Sequence, residues 1–422
     1  MNKTFYPGSI WGQVDIPASK SQTIHTLLMS LFARGRSTIQ NPLICSDTEA
    51  CLEFCRKLGA TINLENNIMT VDSSNLNPKD GIEINCRNSG TTLYFATALA
   101  CTLGVEIRFT GDRSLSKRPA RPLLSSLHDL GADVDLDAES APYSVRGPLV
   151  GGHTSIRCMT GQYLNALLLA APLGIEDTTI DVHLLKEKAA TRTTEIWLEK
   201  QNIEFFRDDE MYHYTIRGGQ SYRPFETDIN GDFSLAAFFF CAAAITGSTI
   251  TVTHLDAKSS QADRSILDIL SSMGCIVRSE GHMVNLIGPS RLKAIDIDVS
   301  GTPDLLPALA VTACFASGPV KFSNVTHTII KGSKERSSTI AHNINAIGGH
   351  AQVLRDSLVV YPISSFSGET EVQSFEDPRI AMAMAVASLR STRGLTIHGF
   401  ECVDLSFPDF FDKFSSVLLS RN

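Results

Sequence analysis

The chain has 422 residues, of which 43% are hydrophobic and 19% charged, with a formal net charge of −8. This length predicts two or three domains with ample hydrophobic core. The negative balance and the lack of a basic stripe argue against a nucleic-acid partner, so an anionic ligand would have to be held by local lysines and arginines.

The first segment, residues 1–12, lacks the apolar region of a signal peptide. The most apolar segment, residues 235–245, is shorter than the roughly 20 residues that span a bilayer. We therefore expect a cytoplasmic protein without a membrane partner.

The ten cysteines mostly stand in apolar runs, which is typical of reduced, buried thiols. Cys51 and Cys55 leave a metal site as a minor alternative, but no second pair accompanies them, and no metal or cofactor is predicted.

Along the chain, a small polar cluster is followed six times by a strongly apolar stretch of helical length and then a glycine. The copies span residues 19–35, 88–104, 160–174, 231–247, 303–318 and 377–394. Their closing glycines are 69, 70, 73, 71 and 76 residues apart. Spacing this regular indicates an internal repeat of about 70 residues.

Each copy continues into an amphipathic segment that ends at Gly or Asn and precedes a short alternating hairpin. The residues expected to end these helices in a left-handed conformation are Gly59, Gly131, Asn202, Gly274 and Gly348. A sixth amphipathic helix is expected over residues 411–419. Because a helix that is apolar all round must be enclosed by protein, we expect buried helices inside and sheets outside, in an α/β fold.

Two breaks divide the six copies into two groups of three. Asn230-Gly231-Asp232 falls between the third and fourth copies and is typical of a hinge. A strand over residues 9–16 precedes the first copy and could complete the other domain, with Pro17-Ala18-Ser19 as a second crossover. We expect a discontinuous domain I (1–18 plus 231–422) and a domain II (19–230), with three repeated units each.

The buried helices begin with polar residues, where the helix dipole and free backbone N–H groups favour anions. These starts are Ser19-Lys20-Ser21, Asn88-Ser89-Gly90-Thr91, Thr160-Gly161-Gln162, Gly231-Asp232, Pro303-Asp304 and Asp377-Pro378-Arg379. N-capping is the simplest interpretation of Ser19, Asp232 and Asp377. It does not explain Lys20, Gln162 or Arg379, since a cation in a first helical turn opposes the dipole. A bound anion would compensate for that cost.

Two more basic segments add to these starts, Lys117-Arg118-Pro119 and the stretch from Lys331 through Lys334 to Arg336. Arg118, Arg336 and Arg379 could make bidentate contacts to phosphate or carboxylate. Taken singly, each is more simply interpreted as a surface charge, but their shared placement favours a site. Asp304 opens a buried helix, where a carboxylate could act as a general base.

With these residues in view, the chain resembles the enolpyruvyl transferase family over essentially its whole length. The most specific segments are residues 17–21, 88–91, 117–119, 162–169, 231–232, 303–304, 377–379 and 407–411. The likeness is to the branch that acts on shikimate 3-phosphate. The branch that acts on a UDP-sugar has Lys-Asn in place of Lys20-Ser21 and a catalytic Cys within residues 111–118, where this chain has none. The resemblance implies a two-domain inside-out α/β barrel with a substrate cleft between the domains.

The resemblance also implies the reaction and the residues that carry it. The enolpyruvyl group of phosphoenolpyruvate would pass to the 5-hydroxyl of shikimate 3-phosphate with release of phosphate, a step of aromatic amino acid biosynthesis, in a monomer without a cofactor. The implied phosphoenolpyruvate-binding residues are Lys20, Asn88, Gly90, Arg118, Gln162, Arg336 and Arg379. The implied acceptor-binding residues are Lys20, Ser21, His25, Thr160, Gln162 and Asp304. Lys20, Asp304 and Glu335 are the implied catalytic residues, with Asp304 taking the proton of the attacking hydroxyl.

Several positions depart from the family pattern, mostly on the acceptor side. His25 replaces an Arg, Thr160-Gly161 a Ser-Ser pair, Tyr94 an Arg, Leu405 a Lys, and Thr191–Glu195 a Ser-x-Pro-Tyr stretch. Near Arg336 the family Lys and Glu fall on Gly332 and Ser333, unless a local gap gives those roles to Lys334 and Glu335. A protonated His25 would partly replace the missing Arg in a pH-dependent way.

Because several of the lost groups bind the 3-phosphate in the family, two alternatives stay open. One is a paralogue in specialised metabolism that acts on a different cyclic hydroxy acid, with the phosphoenolpyruvate half of the site intact. The other is a non-catalytic paralogue that binds a ligand.

Overall fold

A computed structural model describes residues 1–326 and 335–420. The chain divides into two compact units: unit 1 comprises Met1–Pro17 and Asn230–Asn422, and unit 2 comprises Ala18–Ile229. These boundaries lie one residue from those expected from the sequence. The basic residues Lys331 and Lys334, together with Gly332-Ser333, lie outside the described residues.

The described ranges alternate between helices and short strands. The helices are α1 (Lys20–Phe32), α2 (Ser46–Lys57), α3 (Gly90–Ala100), α4 (Arg121–Asp129), α5 (Gly161–Ala170), α6 (Lys188–Lys200), α7 (Phe233–Thr246), α8 (Ser265–Ser272), α9 (Leu306–Ala313), α10 (Arg336–Ala346), α11 (Pro378–Ser388) and α12 (Phe410–Ser416). Strands of the first half are β1 (Asn2–Phe5), β2 (Gly8–Asp15), β3 (Arg36–Gln40), β4 (Thr61–Glu65), β5 (Ile68–Asp72), β6 (Ile82–Asn85), β7 (Glu106–Thr110), β8 (Asp133–Val134), β9 (Tyr143–Arg146), β10 (Gly152–Cys158), β11 (Thr178–Leu185), β12 (Phe205–Arg207), β13 (His213–Ile216) and β14 (Glu226–Asp228). Those of the second half are β15 (Thr249–Thr253), β16 (Ile276–Glu280), β17 (Met283–Ile287), β18 (Ile297–Asp298), β19 (Val320–Ser323), β20 (His350–Leu354), β21 (Ser357–Tyr361), β22 (Glu371–Gln373), β23 (Leu395–His398) and β24 (Leu418–Ser420).

The sheets formed by these strands repeat one arrangement, in which a parallel pair is followed by an antiparallel neighbour. In unit 2 the strand orders are β14-β3-β5-β4, β6-β7-β9-β8 and β10-β11-β13-β12. In unit 1 they are β24-β2-β15-β17-β16, β18-β19-β21-β20 and β22-β23-β1. The parallel pairs are β14/β3, β6/β7, β10/β11, β2/β15, β18/β19 and β22/β23. The predicted repeat, three copies to a unit, is therefore confirmed in the strand topology.

One sheet of each unit takes its parallel partner from a distant part of the chain. In unit 2, β14 comes last and pairs with β3, where Glu226 lies opposite Thr38. In unit 1, β2 pairs with β15, from Trp11 opposite Thr249 to Asp15 opposite Thr253. This is the N-terminal strand that the sequence predicts as part of the other domain.

The helices at the centre of each unit are almost wholly buried, as their composition predicts. In unit 1, α7, α9 and α11 pack on one another, and in unit 2, α3 packs on α1 and α5. Phe238, Phe239 and Phe240 of α7 are fully buried, and each such side chain stabilises the fold by roughly 1.5–3 kcal/mol. Each unit has its own hydrophobic core, with the helices inside and the sheets around them.

The amphipathic helices end where the glycine and asparagine spacing predicts. The residues that follow their last turns have positive φ: Gly59 102°, Gly131 92°, Asn202 56°, Gly274 104° and Gly348 91°. This conformation excludes most side chains but suits Gly and then Asn. The sixth helix, α12, is shorter than expected and is followed by β24.

Capping of the buried helices is confirmed at two of the three positions where it is predicted. The Asp232 carboxylate accepts from the Ser234 N–H at 2.9 Å, and the Asp377 carboxylate accepts from the Arg379 N–H at 2.8 Å. The prediction is wrong for Ser19, whose side chain makes no capping bond.

Two further sequence features have a plain structural counterpart. In the described part of the chain, no helix combines the length and the apolar character needed to cross a membrane. All ten cysteines are buried and unpaired. Burial is the largest cause of the raised pKa of Cys51, so this thiol lies in the core as a neutral group.

Candidate active site

The polar helix starts follow the carboxyl ends of the parallel strand pairs, so the topology gathers them at one end of each unit's helices. In unit 1, the starts of α9, α10 and α11 bring together Asp304, Arg336, Asp377 and Arg379, here called the aspartate–arginine cluster. Arg336 Nη1 lies 2.5 Å from Asp304 Oδ1, and Arg336 Nε lies 2.6 Å from Asp377 Oδ2. Arg379 Nη2 lies 2.9 Å from Asp304 Oδ2. Both oxygens of Asp304 therefore contact a guanidinium.

Arg336 is the most buried member of this cluster, with its side chain 5% exposed. Burial by itself opposes the charged form, but the Asp377 and Asp304 carboxylates outweigh it and raise the pKa of Arg336. A buried cation is tolerated when carboxylates compensate it with good geometry. The cluster thus keeps a permanent positive charge at the start of α10.

Arg379 occupies the first turn of α11, where its charge opposes the helix dipole. Its Nη2 also donates to Ser234 Oγ at 3.0 Å, in the first turn of α7. Its Nε is buried and has no hydrogen-bond partner among the described residues. A buried donor without a partner costs about 1–3 kcal/mol, and an oxygen of a bound anion would supply the missing acceptor.

Glu335, one of the residues expected to be catalytic, immediately precedes α10. Its carboxylate accepts hydrogen bonds from Ser337 Oγ at 2.8 Å and Ser338 Oγ at 3.1 Å. The side chain is therefore bonded to the first turn of its own helix. Glu335 and Arg336 are neighbours in sequence, but only Arg336 contacts the other members of the aspartate–arginine cluster.

In unit 2, the starts of α3 and α5 bring together Asn88, Gly90, Arg118 and Gln162, here called the arginine–amide cluster. Arg118 Nη2 donates to Asn88 Oδ1 at 2.6 Å, and Gln162 Nε2 donates to Thr91 Oγ1 at 2.9 Å. The Nε of Arg118 is buried without a partner in the part of the chain that the structure describes. It resembles Arg379 in this respect.

Gly90 is the member of this cluster that has no side chain, and the geometry explains why. A Cβ at this position would stand 2.7 Å from Arg118 Nη1 and 3.5 Å from Gln162 Oε1. The absence of that atom lets the guanidinium lie against the start of α3. Gly90 therefore contributes to the cluster by leaving space for the Arg118 guanidinium.

Two buried tyrosines hold the segment that carries Arg118. The hydroxyls of Tyr94 and Tyr163 both donate to the Pro119 carbonyl oxygen, at 2.9 Å and 2.6 Å. Burial raises the pKa of Tyr94 to about 12, although nearby Arg118 acts in the opposite direction. Tyr94 stands where the family has an Arg. It contributes no cation of its own, but its hydroxyl holds the segment that carries Arg118.

Lys20 begins α1 and forms an ion pair with a residue that the sequence did not mark. Its Nζ lies 2.7 Å from Asp47 Oδ2 in the first turn of α2, with the two side chains 25% and 12% exposed. The neighbouring Ser21 is exposed. Asp47 has no sequence signal of its own, because its acidic position in a first helical turn is ordinary.

His25 corrects the expectation that a protonated imidazole replaces the family Arg. It is 1% exposed, and desolvation by burial lowers its pKa to about 4, against the opposing effect of the Ser21 carbonyl. Its Nδ1 lies 2.7 Å from the Ser21 carbonyl oxygen and its Nε2 lies 2.8 Å from Thr194 Oγ1. The neutral ring donates to the first and accepts from the second, so no ring nitrogen is left for a ligand.

Thr160 and Gly161, at the start of α5, contact a second residue that the sequence did not mark. Thr160 Oγ1 and the Gly161 N–H each donate to Glu187 Oε2 at 3.1 Å. Thr160 Oγ1 also accepts from the Gln162 N–H at 3.3 Å. The start of α5 therefore already faces a carboxylate.

The structure thus brings the expected residues together within each unit. Asp304, Arg336 and Arg379 are in direct contact in unit 1, as are Asn88, Gly90 and Arg118 in unit 2. Lys20 is paired with Asp47, and His25 is closed off from solvent. In the described residues, no group of three or more His, Cys, Asp or Glu side chains is arranged to hold a metal ion.

Comparison with known proteins gives one consistent result. The model of the family EPSP synthase (3-phosphoshikimate 1-carboxyvinyltransferase) matches residues 6–414. A protein of Acetivibrio thermocellus named 3-phosphoshikimate 1-carboxyvinyltransferase is 38% identical over 407 residues, which cover 96% of this chain and 95% of that protein. A protein of the same name from Ruminiclostridium cellulolyticum is 35% identical over 411 residues, which cover 96% of each chain. The solved EPSP synthase of Acinetobacter baumannii, 24% identical, superposes with a TM-score of 0.84 over 99% of this chain and 98% of its own. On the extent of this agreement, the chain belongs to the EPSP synthase family.

Proposed function

We propose that this protein transfers the enolpyruvyl group of phosphoenolpyruvate to the 5-hydroxyl of shikimate 3-phosphate and releases phosphate. The observation that carries the proposal is the pair of arginines, Arg118 and Arg379, whose buried Nε donors have no partner among the described residues. Both follow the carboxyl end of a parallel strand pair, in a chain whose relatives over nearly its full length carry the name of this activity. The product would serve aromatic amino acid biosynthesis.

Phosphoenolpyruvate presents a phosphate and a carboxylate, and planar guanidinium groups bind both in bidentate fashion. We assign the arginine–amide cluster, with Arg118, and the aspartate–arginine cluster, with Arg336 and Arg379, to this substrate. An incoming anion would provide the acceptor that Nε of Arg118 and Nε of Arg379 lack. It would also share the guanidinium donors that Asp304 and Asp377 now contact.

The chemistry needs one base and one acid. We assign Asp304 as the base that takes the proton of the attacking hydroxyl while its oxygen bonds to carbon 2 of phosphoenolpyruvate. Lys20 and Glu335 are the candidate acids for protonation of the methylene carbon. The tetrahedral intermediate then loses that added hydrogen as a proton and expels phosphate, which restores the double bond. Fixed cations stabilise the charge on the migrating group throughout.

The test is phosphate release from phosphoenolpyruvate in the presence of shikimate 3-phosphate, together with rescue of an aromatic auxotroph. Arg118→Ala and Arg379→Ala should each weaken phosphoenolpyruvate binding at least tenfold in calorimetry. Arg121→Ala is the matched control, since Arg121 is 52% exposed and pairs only with Glu139 among the described residues. Unchanged phosphoenolpyruvate affinity in both cluster variants would overturn the assignment.

The alternative of a non-catalytic paralogue receives no support from the site. A ligand-binding relic has no need for a base between two guanidiniums, and the described contacts of Asp304 are intact. Turnover with neither shikimate 3-phosphate nor any other cyclic hydroxy acid, with phosphoenolpyruvate bound normally, would be the result that favours it.

A further inference from the structure

Arg118 stands on a stretch of backbone that is fixed on both sides. Its N–H donates to the Leu115 carbonyl oxygen at 3.0 Å, at the end of a 3₁₀ turn formed by Leu115–Lys117. Pro119 follows, and its ring restricts the preceding residue to extended conformations. The φ and ψ of Arg118, −82° and 126°, agree with that restriction. The backbone at Arg118 is therefore held in place by the protein itself.

Two hydroxyl groups converge on the next carbonyl, that of Pro119. Tyr94 on α3 donates to this oxygen at 2.9 Å, and Tyr163 on α5 donates to it at 2.6 Å. A backbone carbonyl oxygen has two lone pairs, so one oxygen can accept both bonds. The two rings pack edge to face with centroids 5.0 Å apart, and each tyrosine is 1% exposed. Tyr94 and Tyr163 are here called the tyrosine clamp.

The hydroxyls of the tyrosine clamp both keep their protons near neutral pH. Burial is the largest cause of their raised pKa values: the pKa of Tyr94 rises to about 12, and that of Tyr163 is also raised. A buried tyrosine hydroxyl usually finds a hydrogen-bond partner, as Tyr143 does with the Thr97 hydroxyl at 2.9 Å. The tyrosine clamp differs from that simple pair, because two hydroxyls from two helices share one acceptor beside Arg118.

The tyrosine clamp joins the Arg118 segment to the two helices whose starts complete the arginine–amide cluster. Tyr94 lies about one turn after Gly90 on α3, and Tyr163 directly follows Gln162 on α5. The backbone beside Arg118 is thus fixed to both helices, whereas its buried Nε has no partner among the described residues. A donor that is placed rigidly before binding loses less conformational freedom when its ligand arrives.

We infer that Tyr94 and Tyr163 are positioning residues for phosphoenolpyruvate, which act together through the Pro119 carbonyl to hold Arg118 in its binding position. The inference rests on the proposed function, because Arg118 is assigned to phosphoenolpyruvate there. Either hydroxyl can hold the carbonyl when the other is absent, so the two are partly redundant. Loss of both should therefore weaken binding by more than the two single losses combined.

The experiment measures the dissociation constants of phosphoenolpyruvate and of shikimate 3-phosphate by calorimetry on the full-length chain. Tyr94→Phe, Tyr163→Phe and the double variant remove hydroxyls and keep the rings. Tyr143→Phe is the matched control, because its buried hydroxyl also bonds to α3, but at Thr97. We expect each single clamp variant to weaken phosphoenolpyruvate binding about threefold and the double variant about thirtyfold. Shikimate 3-phosphate affinity should stay within about twofold in every form, as should phosphoenolpyruvate affinity in the control.

A double variant that binds phosphoenolpyruvate as tightly as the wild type overturns the inference. Equal weakening for both substrates, or equal weakening in Tyr143→Phe, also overturns it, because the effect would then be a general loss of order. Urea unfolding shows whether each variant is folded. If the double variant is not, the single variants decide, and wild-type phosphoenolpyruvate affinity in both overturns the inference.

Phosphate release with both substrates is recorded separately. Its absence in the wild type, with phosphoenolpyruvate affinity reduced as expected in the clamp variants, counts against the proposed function alone, since affinity needs no turnover. Normal phosphate release in the wild type, with unchanged phosphoenolpyruvate affinity in the double variant, counts against the tyrosine clamp alone. A wild type that does not bind phosphoenolpyruvate overturns both.

Discussion

Acidification should destabilise unit 2 through His25. Its folded pKa is about 4, because burial disfavours the imidazolium, whereas the unfolded chain has the ordinary value of about 6.5. As the pH falls below 6.5, the unfolded chain takes up a proton that the folded chain refuses. The stability contribution is therefore complete above pH 6.5 and is lost as the pH falls toward 4.

The size of the effect follows from these two pKa values. Each pH unit within the window lowers the free energy of unfolding by about 1.4 kcal/mol. Between pH 7.5 and 4.5, the summed loss from His25 is about 2.5 kcal/mol. His25→Gln can keep one donor and one acceptor, so it should lose only about 1 kcal/mol at pH 7.5. At pH 4.5 it should be more stable than the wild type by about 1.5 kcal/mol.

Urea unfolding followed by tryptophan fluorescence can isolate this effect. Trp197 is buried on α6, the helix that carries Thr194, whereas Trp11 is 65% exposed in unit 1. A Trp11→Phe background therefore restricts the signal to unit 2. His128→Gln is the control, since His128 is exposed on α4. Parallel pH profiles for the wild type and His25→Gln would refute the reasoning, because the imidazole would then titrate alike in both states.

Three further outcomes follow from the two clusters and from the ion pair between Lys20 and Asp47. Gly90→Ala places a methyl 2.7 Å from Arg118 Nη1, so the KM for phosphoenolpyruvate should rise about tenfold while the urea unfolding midpoint stays unchanged. An unchanged KM would contradict the argument that Gly90 leaves space for the guanidinium. Arg336→Gln leaves two carboxylates without their buried cation and should cost about 3 kcal/mol in urea unfolding; a loss below about 1 kcal/mol would contradict the ion-pair geometry. Asp47→Asn removes the carboxylate that lies 2.7 Å from Lys20 Nζ. It should lower kcat about tenfold in steady-state assays and change the free energy of unfolding by less than about 1 kcal/mol. Full activity would show that Asp47 does not position the Lys20 ammonium.

The fold was largely predictable because its signals are local. The residue that ends an amphipathic helix is chosen by its own backbone conformation, so Gly59, Gly131 and Asn202 could be identified without knowledge of their neighbours. The enclosed helices could be identified from composition alone, since a segment such as α7 has no polar face. Capping at Ser19 failed as a prediction because a serine before a helix has the option to cap and is not compelled to do so.

At the site, the arginines and neighbours such as Asp304 and Asn88 were predictable, but the acidic partners of Lys20, Thr160 and Gly161 were not. Arg118, Arg336 and Arg379 are conspicuous because they are cations in or near the starts of helices, where the helix dipole favours anions. Acidic residues are ordinary at such positions. Asp47 and Glu187 are acidic residues near helix starts and attract no notice in the sequence. Glu187 reaches Thr160 only through the register of two parallel strands. Burial lowers the pKa of His25, whose Nε2 contacts a threonine 169 residues away. These contacts depend on packing between residues that are far apart in the sequence, so the neighbouring residues in the sequence do not predict them.

The position of β2 has a consequence for the order in which the protein can be made. This strand lies between β15 and β24, so its two neighbours are synthesised only after all of unit 2 and, for β24, after nearly the whole chain. A nascent chain carries β2 without partners while unit 2 can already close its own sheets. The Asp232 N–H donates to the Pro17 carbonyl at 2.9 Å, so the chain leaves and re-enters unit 1 at adjacent points. Excision of residues 18–229, with a short join between those points, is therefore a natural way to obtain either unit as a separate protein.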